Sequence, residues 1–238
     1  MLWFYGLILR LVTPAVFVWL WLRGRKDLRY RSHWAERLAL DTVSSNLQGC
    51  TIIHSVSVGE TLAAKRLIEQ FIVQFPGEKV VITCMTPTAR ALIEKHFSNA
   101  VTCRYWPLDT PGAAKRFATK LKPKAVWIME TELWPQMLNR LAMKNTPVCL
   151  LNARLSARSA AGYRRFHRLM KSVWQQLALV SVQNRETARR MNVLGVPKER
   201  LFVDGNLKYD IELSQTDKLK ADSWKENSEG RLIWLGSS

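Results

Sequence analysis

An α/β fold with a parallel sheet covered on both faces is predicted by three observations. Short, β-branched apolar runs recur along the chain, each leads into an amphipathic helical stretch, and the polar blocks fall just past the ends of the runs. Near-continuous apolar strands between helices belong to sheets buried on both sides, a Rossmann-like arrangement. Ligands of such sheets collect beyond the carboxyl ends of the strands, so those polar blocks are where chemistry is expected.

The first 22 residues, MLWFYGLILRLVTPAVFVWLWL, are almost wholly apolar and broken only by Arg10 and Thr13-Pro14. Their length is near the ~20 residues of a membrane span, with Trp3, Trp19 and Trp21 as interfacial anchors. Arg23, Arg25, Lys26, Arg29 and Arg31 follow, which places that flank on the cytoplasmic side. Arg10 costs a span ~3 kcal/mol, which leaves open a helix lying in one leaflet, and a buried core helix is the third reading.

The α/β units follow. TIIHSV at 51–56 turns through Ser57, Val58 and Gly59 into a helix from about Glu60 to Phe75, ended by Pro76-Gly77. KVVITC at 79–84 precedes a helix reaching Phe97, and AVTCRYW at 100–106 precedes one reaching Leu121. KAVWIM at 124–129 and PVCLLN at 147–152 flank a helix over about Leu133 to Lys144. A basic helical stretch, 156–174, leads to LALVSV at 177–182, a helix to Leu194, and the short strand RLFVDG ending at Gly205.

With 238 residues and 47% apolar content, the chain can bury a sizeable core. Its net charge of +17 suits an anionic partner: a phospholipid surface, a nucleic acid or a phosphorylated substrate. Cys50, Cys84, Cys103 and Cys149 stand far apart, without zinc spacing or disulfide density, and read as reduced core residues.

The candidate site gathers residues past the strand ends. Glu60, at the first turn of a helix, either complements the macrodipole or takes a proton from a substrate hydroxyl. Ser57 and Gly59 shape that turn and are candidate substrate contacts. Glu130 and Glu132 follow the fourth strand and point to the same side if strand geometry continues. One then orients a sugar hydroxyl while Arg154 holds the other, a structural pair being the alternative. Lys208 either neutralises charge gained in the transition state or is simply solvated. Arg158, Arg164, Arg165, Arg168 and Lys171 either grip phosphates and anionic lipid or form a solvated face. No ligand spacing, acidic metal pair or phosphate-cradling glycine loop occurs, so neither metal nor cofactor is expected.

In their order, RGRKDLRYR, HSVSVGET, TCMTPTA, METELWP, NARLSARSAAGY and GNLKYD, these blocks resemble the 3-deoxy-D-manno-octulosonic acid (Kdo) transferases of lipopolysaccharide synthesis, over about residues 1–212. The resemblance implies the N-terminal, acceptor-binding half of a GT-B type glycosyltransferase. It acts on the cytoplasmic face of the cell inner membrane, on CMP-Kdo and a lipid A precursor such as lipid IVA, and inverts the anomeric carbon. It implies that Glu60 is the general base, and that Glu130 and Lys208 stabilise the transition state. Residues 1–22 would be the anchor, 23–210 the acceptor domain, and 211–238 a connection followed by the first strand of a donor domain otherwise absent. A fragment, a split enzyme with a separate C-terminal chain and a decayed copy all stay open. A membrane-anchored binding protein for acidic lipid or nucleic acid is the competing class, and it leaves SVGE and ETELWP without a purpose. Nucleic acid is therefore not an expected partner.

Overall fold

The computed structural model describes residues 1–97, 100–210 and 222–223. The chain divides into two units, Met1–Leu207 and Lys208–Ser238. The expected connection at 211–229 and strand at 231–236 lie outside the described residues.

In the first unit, helix α1 (Leu2–Arg23) and the single turn α2 (Trp34–Arg37) precede the sheet. Then β1 (Thr51–His54), α3 (Val58–Gln74), β2 (Val80–Cys84), α4 (Pro87–Phe97) and β3 (Thr102–Tyr105) alternate. They continue through α5 (Pro111–Leu121), β4 (Ala125–Met129), α6 (Pro135–Ala142) and β5 (Val148–Ala153). The unit closes with α7 (Ala157–Arg165), α8 (His167–Gln175), β6 (Leu179–Val182), α9 (Arg185–Leu194) and β7 (Leu201–Val203).

All strand pairs are parallel, and the seven-stranded order is β3-β2-β1-β4-β5-β6-β7. The predicted α/β class is therefore the observed one. Strand alternation sends Ile52 and Ile128 into one buried cluster with the helices α5, α6, α8 and α9, and Ile53 and Met129 into the other with α3 and α4. The chain leaves β1 toward β3, then returns to lay β4 on the other side of β1. That reversal opens a crevice at the carboxyl ends of β1 and β4, where doubly wound sheets bind ligands.

Local chemistry sets the helix starts. Ser57, Thr110, Ser156 and Asn184 each accept an N–H from three residues on, capping α3, α5, α7 and α9. Pro111 and Pro135 occupy first-turn positions, where the missing N–H costs nothing. The basic stretch 156–174 is two helices rather than one, broken at Phe166. The break lets α8 drop Met170, Val173 and Trp174 into the core while α7 buries no residue. Cys50 and Cys84 are buried as expected, Cys103 and Cys149 only partly, and all four are free thiols.

Candidate active site

The turn after β1 is built around Glu60. Ser57 Oγ donates to Glu60 Oε1 at 2.9 Å, the N–H of Val56 donates to Oε2 at 2.8 Å, and the Glu60 N–H returns a long 3.5 Å bond to Ser57 Oγ. This reciprocal pattern is a variant of the capping box, with the glutamate reaching one residue further back than usual. The carboxylate is held in one place, 8% exposed, at the positive end of a 17-residue helix.

Beneath the turn, Ser55 and Thr61 hydroxyls bond at 2.9 Å, and Thr61 also donates to the Ser57 carbonyl at 3.0 Å. His54 is wholly buried, stacked 4.3 Å from Trp106 and bonded through Nδ1 to Thr83 at 3.0 Å. Burial drives its pKa down to about 3, so it is a neutral floor residue rather than a proton carrier. Gly59 is exposed, and a Cβ there would meet nothing nearer than Ser57 Oγ at 4.0 Å.

Across the crevice, β4 stops at Met129 and Glu130 turns to φ +56°. Glu130 and Glu132 therefore do not continue the pleat, and the expected same-side alternation fails there. The left-handed backbone is costly for a residue with a Cβ, and such strain collects at functional sites. Asn152, in the bulge of β5 beside β4, carries the same conformation at φ +53°. Its side-chain carbonyl accepts from Leu207 N–H at 3.1 Å, bringing the end of the first unit back over β5, while its Nδ2 is a buried donor with no partner.

Glu132 feels the charges of the other two glutamates. Glu132 is pushed up to about 7, first by burial, then by the charges of Glu60 and Glu130. Near neutral pH it is therefore half protonated and able to donate a hydrogen bond. Tyr163, brought in by α7, is raised mainly by burial and secondarily by Glu132. Thr131 ties the β4 loop to the β5 loop, donating to the Arg154 carbonyl at 2.5 Å and accepting from its N–H at 3.3 Å. Arg154 thus enters through its main chain, and its side chain is exposed. Lys208 opens the second unit, exposed, in the single turn Leu207–Tyr209. Among the described residues no group of three His, Cys, Asp or Glu is arranged to hold a metal ion.

Asp109 was not a candidate from sequence. It is 3% exposed and accepts from the N–H groups of Gln136 and Met137 at 2.9 and 2.8 Å, fixing the start of α6 directly after the ETELWP loop. The same carboxylate accepts from the Tyr5 hydroxyl at 3.1 Å. An Asp just ahead of Thr110-Pro111 reads as part of the local α5 cap, so nothing in the sequence marked its reach to α1 and α6.

Residues 32–211 match the profile of a family described as 3-Deoxy-D-manno-octulosonic-acid transferase (kdotransferase). The chain is similar to the 3-deoxy-D-manno-octulosonic acid transferase of Haemophilus influenzae, 35% identical over 240 residues, which covers 99% of this chain and 56% of that protein. It is likewise similar to the enzyme of that name from Bordetella pertussis, 28% identical over 244 residues, covering 98% and 56%. Among solved structures, a UDP-GlcNAc 2-epimerase from Neisseria meningitidis aligns with 76% of this chain and 52% of its own, at 14% identity and a TM-score of 0.49. The chain spans about half the length of the curated relatives it matches.

Proposed function

The chain belongs to the 3-deoxy-D-manno-octulosonic-acid transferase family, and on that footing we propose that it forms the acceptor half of a glycosyltransferase that moves Kdo from CMP-Kdo onto a lipid A precursor such as lipid IVA. What supports the reading most is the Glu60 carboxylate, fixed by two hydrogen bonds at the reversal of the sheet, with the fields of Glu60 and Glu130 both reaching Glu132.

In this reading Glu60 takes the proton of an acceptor hydroxyl as its oxygen attacks the anomeric carbon of Kdo. The bond from that carbon to the CMP phosphate breaks with its electron pair leaving on CMP, and attack from the opposite side inverts the centre. Glu130 and Lys208 stabilise charge that develops in the transition state. Ser57, Gly59, Glu132 and Arg154 contact substrate, Glu132 donating a hydrogen bond to a sugar oxygen when protonated. The donor site belongs to a second domain. Work takes place at the cytoplasmic face of the inner membrane, held there by residues 1–22 and the arginines that follow.

Mass spectrometry of the lipid precursor after incubation with CMP-Kdo tests this, using the chain alone, the chain supplied with a family donor domain, and a Glu60→Ala control of each. A Kdo increment that vanishes in the control supports the proposal. No increment in any arm, with the chain folded, removes it.

A further inference from the structure

Helix α1 has the length and apolar composition to cross a membrane, about 33 Å at 1.5 Å per residue. Its packing is that of something else. Tyr5, Leu9, Thr13, Val16 and Leu20 recur at helical spacing and are buried or half-buried, and the helix meets α6 near its start and the segment Leu28–Arg31 near its end. Gly6 and Gly24 mark the closest approaches. A Cβ at Gly6 would lie 2.6 Å from Pro111 and 2.7 Å from the Gln136 amide, and one at Gly24 would lie 2.4 Å from the Arg31 side chain.

Both ends are fastened. At the start, Tyr5 donates to Asp109 and Gln136 Nε2 donates to the Leu2 carbonyl at 2.7 Å. At the end, Phe17 packs 5.0 Å from Trp34, and Arg31 Nε donates to the Trp21 carbonyl at 3.2 Å. A helix with both ends tied to the same globular unit cannot put one end on each side of a bilayer while it stays seated.

The opposite face is apolar and uncovered: Phe4 is 60% exposed, Leu11 74% and Val18 58%, seven residues apart and so on one line of the helix. Charge identifies its occupant. Arg10 is exposed on the helix, and Arg23 and Arg31 stack on Trp19 and Trp21 at 4.8 and 4.9 Å, which sets guanidinium groups and indoles together as they meet at a headgroup layer.

We propose that α1 lies in the plane of one leaflet of an anionic phospholipid bilayer, its Phe4–Leu11–Val18 face inserted at the boundary of headgroups and acyl chains. Its start abuts the first turns of α5 and α6, which follow β3 and β4, so the carboxyl edge of the sheet opens at the membrane surface. There an acceptor anchored in the lipid meets the Glu60 crevice without leaving the bilayer. This deepens the proposed function, and its test reads depth rather than sugar transfer, so the two can fail separately.

The test attaches an environment-sensitive fluorophore to F4C, L11C and V18C, and to inner-stripe controls L9C and V16C, with Cys103 and Cys149 replaced by serine. The whole 238-residue chain is bound to vesicles of phosphatidylcholine and phosphatidylglycerol carrying quenchers at defined acyl depths, and circular dichroism verifies each fold. Equal loss of fluorescence to shallow quenchers at positions 4, 11 and 18, with none at 9 and 16, is expected. Quenching deepest at 11 and shallow at 4 and 18 would mean a spanning helix and overturn the proposal. Absence of quenching at all positions would overturn it too, and disulfide dimers formed by unlabelled L11C on mild oxidation in that case would identify a second copy as the occupant.

Discussion

Ser57 Oγ and Glu60 Oε1 are joined by a 2.9 Å hydrogen bond that makes one residue both the cap of α3 and the clamp on the proposed base. Folding and chemistry are therefore separable here by the choice of substitution. Glu60→Gln keeps a carbonyl that accepts from the Val56 N–H and places an amide NH2 where it can donate to Ser57 Oγ, so the melting temperature should hardly move, while transfer falls by ~10²-fold or more. Ser57→Ala should cost about 1 kcal/mol in denaturant unfolding through the lost cap, and lower transfer less. Full turnover in Glu60→Gln would remove Glu60 as the base.

Glu132 predicts a pH dependence of stability. Its folded pKa of about 7 lies above the ordinary 4.5, so the folded chain holds the proton that the unfolded chain releases between those values. The contribution is complete below 4.5 and is lost as pH rises through 7. Glu132→Gln should match the parent in urea unfolding at pH 4 and exceed it above pH 7. A fully dry group would give ~3 kcal/mol, and solvent screening of this partly buried one reduces that to about 1 kcal/mol. Equal stabilities at both ends of the range would contradict the assignment.

Gly59 has no positive φ, and nothing of the protein stands where its Cβ would go. Gly59→Ala should fold at least as well as the parent, gaining up to ~1 kcal/mol from helix propensity. If the acceptor approaches over this turn, the added methyl raises KM several-fold. Unchanged steady-state kinetics would free Gly59 of any substrate role.

Asp109→Ala strips two N–H groups and the Tyr5 hydroxyl of their acceptor in a buried site. Each orphaned donor costs about 1–3 kcal/mol, so chemical denaturation should register a loss of several kcal/mol. Tyr5→Phe removes one donor and should cost only ~1 kcal/mol.

For Lys208→Ala, turnover should drop by more than acceptor affinity does, as expected of a group that acts on charge formed in the transition state. An equal rise in acceptor Kd measured by calorimetry would make Lys208 a binding residue instead.

The α/β class and the parallel sheet were legible because they rest on local chemistry. Apolar runs such as VVIT and AVWI need two covered faces, and Ser57 acts on an N–H group within a turn of itself. The blocks past the strand ends were legible for the same reason, as was Glu60 in its turn. Boundaries were less so: the helix expected over 133–144 is Pro135–Ala142, and the single basic helix is two.

Sequence by itself thus determined which elements form, their order, and the apolar character of α1. Only the tertiary structure decided what they meet. Strand order, which puts the crevice between β1 and β4, depends on pairings between segments some 75 residues apart. The turn of Glu130 away from the pleat, the reach of Asp109 to Tyr5 and α6, and the fastening of the start of α1 on Gln136 arise from contacts between distant segments. Periodicity and capping describe a residue's neighbours along the chain, and neither carries information about the partner that packing brings to it.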